Sequence, residues 1–285
     1  MPGAERYLLI RMDLSQLANN ISLTDKGYYK TQSEVPVSYP VTGNEECLQV
    51  EDSSYWFRHR NNVIAALYAK FCQDKTLVDI GGGNGFVAKN LQELGASVLM
   101  VEPGESGVKN AKTRGVKHII HGGFQDAGFL NNKLDAVGLF DVLEHVEADH
   151  ELLREINRTL RPDGILIITV PAYGWLWSVD DEAAGHFRRY SLTDIKKDLL
   201  NAGFKLEYNS YLFSVLLLPI LFFRTLPSKL GIKKNKERTL QKDGAHKPGR
   251  LEGVLNWVWK KELRKIKSLK KIGAGSSCVI VARKR

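Results

Sequence analysis

Residues Asp79-Ile80-Gly81-Gly82-Gly83-Asn84-Gly85 constrain this chain more than any other segment. They follow a short apolar run, Thr76-Leu77-Val78, and precede a helical pattern from Phe86 to Leu94, so the chain passes from strand through glycine turn into helix. Glycines at alternate positions let the backbone turn tightly and approach a ligand with no Cβ in the way. A second apolar run, Ala96 to Val101, ends on Glu102. An acid at the end of the second strand is placed to accept hydrogen bonds from ribose hydroxyls. Together these features describe a nucleoside-binding βαβ unit.

The rest of the chain continues the alternation. Strands are expected at 76–80, 97–102, 117–120, 134–140, 164–170 and 204–211, with helices near 86–94, 105–114, 148–160 and 192–202. That order predicts an α/β fold with a parallel, doubly wound sheet. A helix over 53–71 has Ser54 as its N-cap. Another over 251–271 carries an apolar stripe at 251, 255, 258, 259, 263, 266 and 269, and the last strand candidate is Ser277 to Ala282. Residues 1–52 are a polar N-terminal extension with one helix-like stretch through Leu8, Leu9, Met12 and Leu17.

The glycine spacing narrows the ligand. It is G-x-G-x-G, whereas the dinucleotide fingerprint is G-x-G-x-x-G/A, and Phe86 stands where that fingerprint wants Gly or Ala. The segment resembles motif I of the class I S-adenosylmethionine-dependent methyltransferases. Asp135 to Val146, ending Phe140-Asp141-Val142-Leu143-Glu144-His145-Val146, looks like the fourth-strand motif of that superfamily. Leu160-Arg161-Pro162-Asp163-Gly164 resembles its turn into strand five, which Val170-Pro171 closes in the usual way. The resemblance spans roughly Leu77 to Phe204. More narrowly, Tyr55 to Arg60, Asp79 to Gly85 and Ala184 to Tyr190 are similar to a bacterial methyltransferase group of type 11/12, near the ubiquinone-biosynthesis enzymes. One departure is Gly82, where Cys or Ala is usual; the position need only be small.

The resemblance implies a Rossmann-like, seven-stranded sheet whose last strand is antiparallel and lies beside the sixth, with an insertion of some sixty residues in the hairpin that joins them. Domain bounds follow: extension 1–52, core 53–212, apolar and basic helical insertion 213–274, and last core strand 275–285. The implied cofactor is S-adenosyl-L-methionine, leaving as S-adenosyl-L-homocysteine. Gly81, Gly82, Gly83 and Gly85 would wrap its methionine half, with Asp79 organising the loop from beneath. Glu102 would take the ribose, Pro103, Gly123 and Phe124 the adenine, and Phe140 and Asp141 would lie near the methyl group.

Methyl transfer from a sulfonium requires mainly in-line positioning and exclusion of water, so no triad is needed. Candidate catalytic residues are His186, His145 and Asp141. His145 reads either as a base or as the residue that closes strand four. His186 follows strand five, where open α/β sheets bind ligands. With Arg188 and Tyr190 it reads as acceptor-binding, or as part of a charged loop paired with Asp180 to Glu182. Trp175 and Trp177 suggest a flat or apolar acceptor, or ordinary packing, and Arg58 or Arg60 in the aromatic-basic turn would meet a carboxylate or an anionic acceptor.

Formal charge is +9, but sixteen Lys/Arg against four Asp/Glu fall between Arg224 and Lys271, so the basicity belongs to one segment. Such a segment suits an anionic membrane surface or a solvated helix face. Cys47, Cys72 and Cys278 are scattered, which implies a reducing compartment, no disulfide framework and no metal site. With no signal-peptide pattern and a longest apolar stretch of only Tyr211 to Phe223, a cytoplasmic protein, peripheral at a membrane at most, is expected. The expected function is methyl transfer to a small-molecule or lipid- or glycan-linked acceptor. The alternative is a nucleic-acid or protein methyltransferase using the basic insertion. Nucleic acid is the less favoured partner, because Phe140-Asp141-Val142-Leu143 replaces the Asn/Asp-Pro-Pro-Tyr motif of amino-directed enzymes.

Overall fold

The apolar runs of the sequence become neighbouring strands of one sheet. The computed structural model describes residues 13–32, 43–232 and 252–285. In chain order, these hold strands β1 (Ile21–Leu23) and β2 (Tyr29–Thr31), then helices α1 (Gly43–Leu48) and α2 (Tyr55–Phe71). The βαβ unit is β3 (Leu77–Ile80), α3 (Phe86–Glu93) and β4 (Val98–Glu102), followed by α4 (Glu105–Arg114), β5 (His118–His121) and β6 (Leu134–Phe140). Next come α5 (Asp149–Thr159), β7 (Leu160–Pro171), α6 (Val179–Ala183), α7 (Leu192–Asn201) and β8 (Phe204–Leu212). The insertion contributes α8 (Leu217–Ile220), α9 (Leu226–Lys229) and α10 (Glu252–Lys267), and β9 (Ser277–Lys284) ends the chain.

The sheet order is β1-β2-β5-β4-β3-β6-β7-β9-β8. β5, β4, β3, β6 and β7 are parallel, and β9 enters antiparallel between β7 and β8. Alternate residues of each strand point to opposite faces, so Leu99 and Val101 join one core layer while Val98 and Met100 join the other. The first layer packs on Leu152, Ile156 and Ile195, the second on Ile64, Leu67 and Leu91. Both faces are therefore covered, as a parallel sheet requires.

Two differences from the sequence reading matter. The described part of the N-terminal extension is not a long helix. It holds one 3-10 turn (Leu14–Gln16) capped by Asp13, the β1-β2 pair, which extends the sheet beside β5, and the short helix α1. Strands of three residues carry too little alternation to be read locally. The expected helix residues Leu8, Leu9 and Met12 lie outside the described residues, as does the basic loop 233–251. Finally, α10 ends at Lys267 because Leu269 turns into a left-handed conformation and the Lys270 N–H bonds back to the Lys265 carbonyl.

The insertion is fastened to the core through α2. Trp259 of α10 packs against Tyr55 and His59, with ring centroids 4.5 and 5.5 Å away. Glu262 is buried and receives His59 Nε2 at 2.9 Å, the Phe213 N–H at 2.8 Å, and the Ser214 N–H and hydroxyl.

Candidate functional site

The carboxyl ends of β3, β4 and β6 open into a cavity of about 650 Å³. The register that pairs Ile80 with both Val101 and Leu139 brings their three following loops together. At the first loop Gly81, Gly83 and Gly85 all have positive φ, a conformation that glycine adopts without cost. A Cβ on Gly83 would meet only Asn44 Oδ1, at 3.6 Å, so the backbone there faces open space. A Cβ on Gly82 would run into the Met100 side chain; Met100 fills the volume that the usual larger residue would occupy.

Glu102 lies beneath this loop, its carboxylate accepting the Gly83 and Gly104 N–H groups, each at 2.8 Å. Burial raises its pKa, and those two N–H groups oppose the rise. Asp79 is 1 % exposed, and neither of its oxygens has a hydrogen-bond partner among the described residues. Burial pushes its carboxyl up to about 7, against the nearby charge of Arg60 and reinforced by that of Glu102. A buried carboxylate without a partner is costly. The nearby cationic amine and sulfonium of S-adenosylmethionine would supply what this one lacks, so the residues present fit that group.

Asp79, Gly81, Gly82, Gly83, Glu102, Pro103, Gly123, Phe124, Phe140 and Asp141 all line the cavity. Gly85 sits behind it as the N-cap of α3, where a Cβ would strike Val116 and Ala111; its smallness serves the packing of α4.

The opposite end is built from the turn after β6 and the loop after β7. Asp141 holds a left-handed backbone and accepts Arg60 Nη1 at 2.6 Å. Glu144 is buried, and burial followed by the charge of Asp141 raises its carboxyl well above the ordinary range. Burial and then neighbouring His186 push the His145 ring down to about 4. The two imidazoles meet edge to face, 4.7 Å between centroids. His186 Nδ1 lies 2.9 Å from Asp181 Oδ1, which also takes Arg189 Nε at 2.7 Å. Burial alone would raise Asp181, but the bonds from His186 and Arg189 outweigh it and hold the carboxyl at about 2. Because that carboxylate can only accept, the Nδ1 of His186 carries the proton of this bond, and Nε2 is the ring nitrogen left free of Asp181.

The other expected acceptor residues lie elsewhere. Arg58 is exposed on α2, two residues and about 200° of helix turn from Arg60, which faces the cavity. Trp175 is half exposed and stacks on Tyr173, while Trp177 donates to Glu182, and neither lines the cavity. Arg188 pairs with Asp149 at 2.8 Å, and the buried Tyr190 hydroxyl donates to the same carboxylate at 2.8 Å. These two tie the loop to α5 rather than facing the cavity.

Sequence reasoning missed several lining residues. Asn44, Cys47 and Glu51 come from α1 and the turn after it, linked to the glycine loop through Asn84, which donates to the Asn44 carbonyl at 2.7 Å and to Glu51. No local motif marks them. Trp56, Phe57 and Phe187 form much of the apolar wall, and all three stood inside the quoted motifs. Glu144 stood there too, unremarked.

A methyltransferase-domain family matches residues 56–209, just over half of the chain. A probable S-adenosylmethionine-dependent methyltransferase of Mycolicibacterium smegmatis is 25 % identical over 176 residues, covering 61 % of this chain and 68 % of that protein. The ubiquinone biosynthesis O-methyltransferase of Caulobacter vibrioides is 30 % identical over 99 residues, 33 % of this chain and 39 % of its own length. Among solved structures, the phosphoethanolamine N-methyltransferase 2 of Haemonchus contortus, in complex with S-adenosyl-L-methionine, superposes with a TM-score of 0.54 at 21 % identity. It covers 87 % of this chain, which spans 58 % of it; that likeness concerns the fold.

Proposed function

Because this chain belongs to the methyltransferase-domain family and takes S-adenosylmethionine as its methyl donor, we propose that its acceptor is a small molecule, free or carried on a lipid or glycan, seated between Asp141 and His186. The carrying observation is that one cavity joins the glycine loop to the His145–His186 end, with a volume inside the range of small-ligand sites, about 300–1,000 Å³. The donor supplies an electrophilic methyl carbon and leaves as a neutral thioether. Glu102 and the glycine loop hold it, Trp56, Phe57 and Phe187 screen the reacting end from water, and His186, held by Asp181 through Nδ1, presents Nε2 to the acceptor side.

Incubation with methyl-labelled S-adenosylmethionine and a fractionated bacterial extract tests this. Label is expected in the small-molecule or lipid fraction. Label confined to protein or nucleic acid would replace this reading with the macromolecular one. Glu102→Ala removes both the ribose acceptor and the anchor of Gly83, so donor affinity should fall about ten- to a hundredfold by calorimetry. Unchanged affinity would displace the donor from this loop.

A second reading concerns the insertion. Leu218, Phe222, Phe223 and Leu230 each expose more than half their surface along α8, the π-turn after it and α9. The segment is docked on the loop after β7, where Thr225 donates to the Leu176 carbonyl and Ser228 accepts the Val179 N–H. No helix among the described residues is long and apolar enough to cross a membrane. An apolar face beside a basic segment supports reversible attachment to an anionic membrane near the acceptor loop. In vesicle co-sedimentation, wild type should bind anionic vesicles and release with salt, and Phe222→Ser with Phe223→Ser should not bind. Equal sedimentation of the two would remove this role.

A further inference from the structure

Glu144, His145 and His186 line the end of the cavity away from the glycine loop, and each offers one potential ligand atom, the three lying within 4.8 Å of one another. The sequence carries no recognised metal motif there, because the third member lies some forty residues from the first two. We propose that these three side chains bind a divalent transition-metal ion of the zinc class, with an open coordination position facing the acceptor. The role given to the acceptor rests on the methyl-transfer reading above; the binding of the ion does not.

The donor set comes first. Two imidazoles and one carboxylate are the ligands of open zinc and related centres, which keep a position for water or substrate. Glu144 is 1 % exposed, and its Oε2 has no hydrogen-bond partner among the described residues. Two guanidinium groups act on it from nearby, yet Arg60 and Arg189 are bound to Asp141 and Asp181 instead. The buried carboxylate is thus left facing the cavity, where a cation would satisfy it.

The surrounding bonds are those of a supported ligand. Asp181 fixes the ring of His186 through Nδ1, the carboxylate–histidine arrangement that orients a metal-bound imidazole and presents Nε2. The Phe187 N–H donates to the Glu144 carbonyl at 2.8 Å, pinning the loop that carries His186 to the turn that carries Glu144. Zinc bond lengths of about 2.0–2.2 Å put tetrahedral ligands roughly 3.4 Å apart, so the ligand atoms, now within 4.8 Å of one another, would draw together by up to about 1.4 Å on binding.

An ion here would lower the pKa of an acceptor hydroxyl at its open position. The hydroxyl proton goes to solvent, the oxygen lone pair forms the bond to the methyl carbon, and the carbon–sulfur pair departs with sulfur. The products are a methyl ether and a neutral thioether.

The test uses the full chain, stripped with a chelator and titrated with Co²⁺ in the absence of donor and acceptor. One Co²⁺ per chain is expected, with the visible absorption of a low-coordinate site, and Zn²⁺ should displace it. Glu144→Gln, close in shape to the wild type, and His186→Ala should each weaken binding by a hundredfold or more. Asp181→Asn, one bond removed, should weaken it ten- to a hundredfold. Circular dichroism and thermal midpoints confirm that the variants are folded. Absence of a stoichiometric Co²⁺ signal, or equal binding by wild type and both ligand variants, would overturn the site. Thiolate charge-transfer absorption would place the ion on Cys47 and overturn it as well. Binding that behaves as expected while methyl transfer is indifferent to chelation would uphold the site and overturn its part in the reaction. Intact Co²⁺ binding without any methyl transfer would count against the functional reading alone.

Discussion

Replacing His186 by Ala is expected to lower turnover by about a hundredfold or more while leaving S-adenosylmethionine affinity within about threefold. The ring lines the cavity at the end away from Glu102 and the glycine loop, and Asp181 holds its Nδ1 so that Nε2 is available to the acceptor. Loss of a side chain that activates the acceptor, whether directly or as ligand of an activating ion, is taken to cost on the order of 10²–10⁴ in rate. Single-turnover kinetics with labelled donor, beside calorimetry for donor binding, separates the two quantities. A parallel loss of donor affinity in a folded His186→Ala protein would move this loop into the donor site and end its assignment to the acceptor.

Glu262→Ala is expected to destabilise the protein by about 3–5 kcal/mol, the usual cost of breaking a buried charged network by removing one partner. The side chain is almost fully buried and is bonded by His59, by the Phe213 and Ser214 N–H groups and by the Ser214 hydroxyl. Its removal strands those donors between α2, the end of β8 and α10. Burial works to raise the Glu262 carboxyl, and the bonds from His59, Phe213 and Ser214 outweigh it, so the group stays below its ordinary value of 4.5. A carboxyl depressed by folding contributes stability above its unfolded pKa and loses it as pH falls through the folded one. The gap between wild type and variant in urea midpoint should therefore be full near neutrality and shrink below about pH 4.5. A gap that is absent, or that is unchanged in acid, would show that α10 is held to the core by its apolar contacts alone.

These two residues mark the divide between what neighbours in the chain encode and what only folding brings together. Asp79 to Gly85 and Glu102 were legible because strand, turn, helix and second strand are contiguous, and each step follows from local propensity and hydrophobic period. The same holds for the Ser54 cap of α2. The antiparallel placement of β9 followed from family resemblance rather than from any local pattern.

Selection between Arg58 and Arg60 was different. Both sit in one aromatic-basic turn, and only the docking of α2 against the turn carrying Asp141 decides which guanidinium faces inward. Trp175 and Trp177 looked like an acceptor wall because aromatic residues in a loop invite that reading, yet the wall is made by Trp56, Phe57 and Phe187 from other elements. Asn44 reaches the glycine loop from forty residues upstream of Asn84, and Glu262 meets His59 across 203 residues. Such pairings leave no periodic trace, because they depend on how finished elements pack and not on the conformation of any one of them. The sequence by itself therefore determined the parallel sheet, the glycine loop and its acid. Tertiary structure alone decided which side chains converge at the other end of the cavity, since Glu144, His145 and His186 become neighbours only when the loop after β7 folds back over the end of β6.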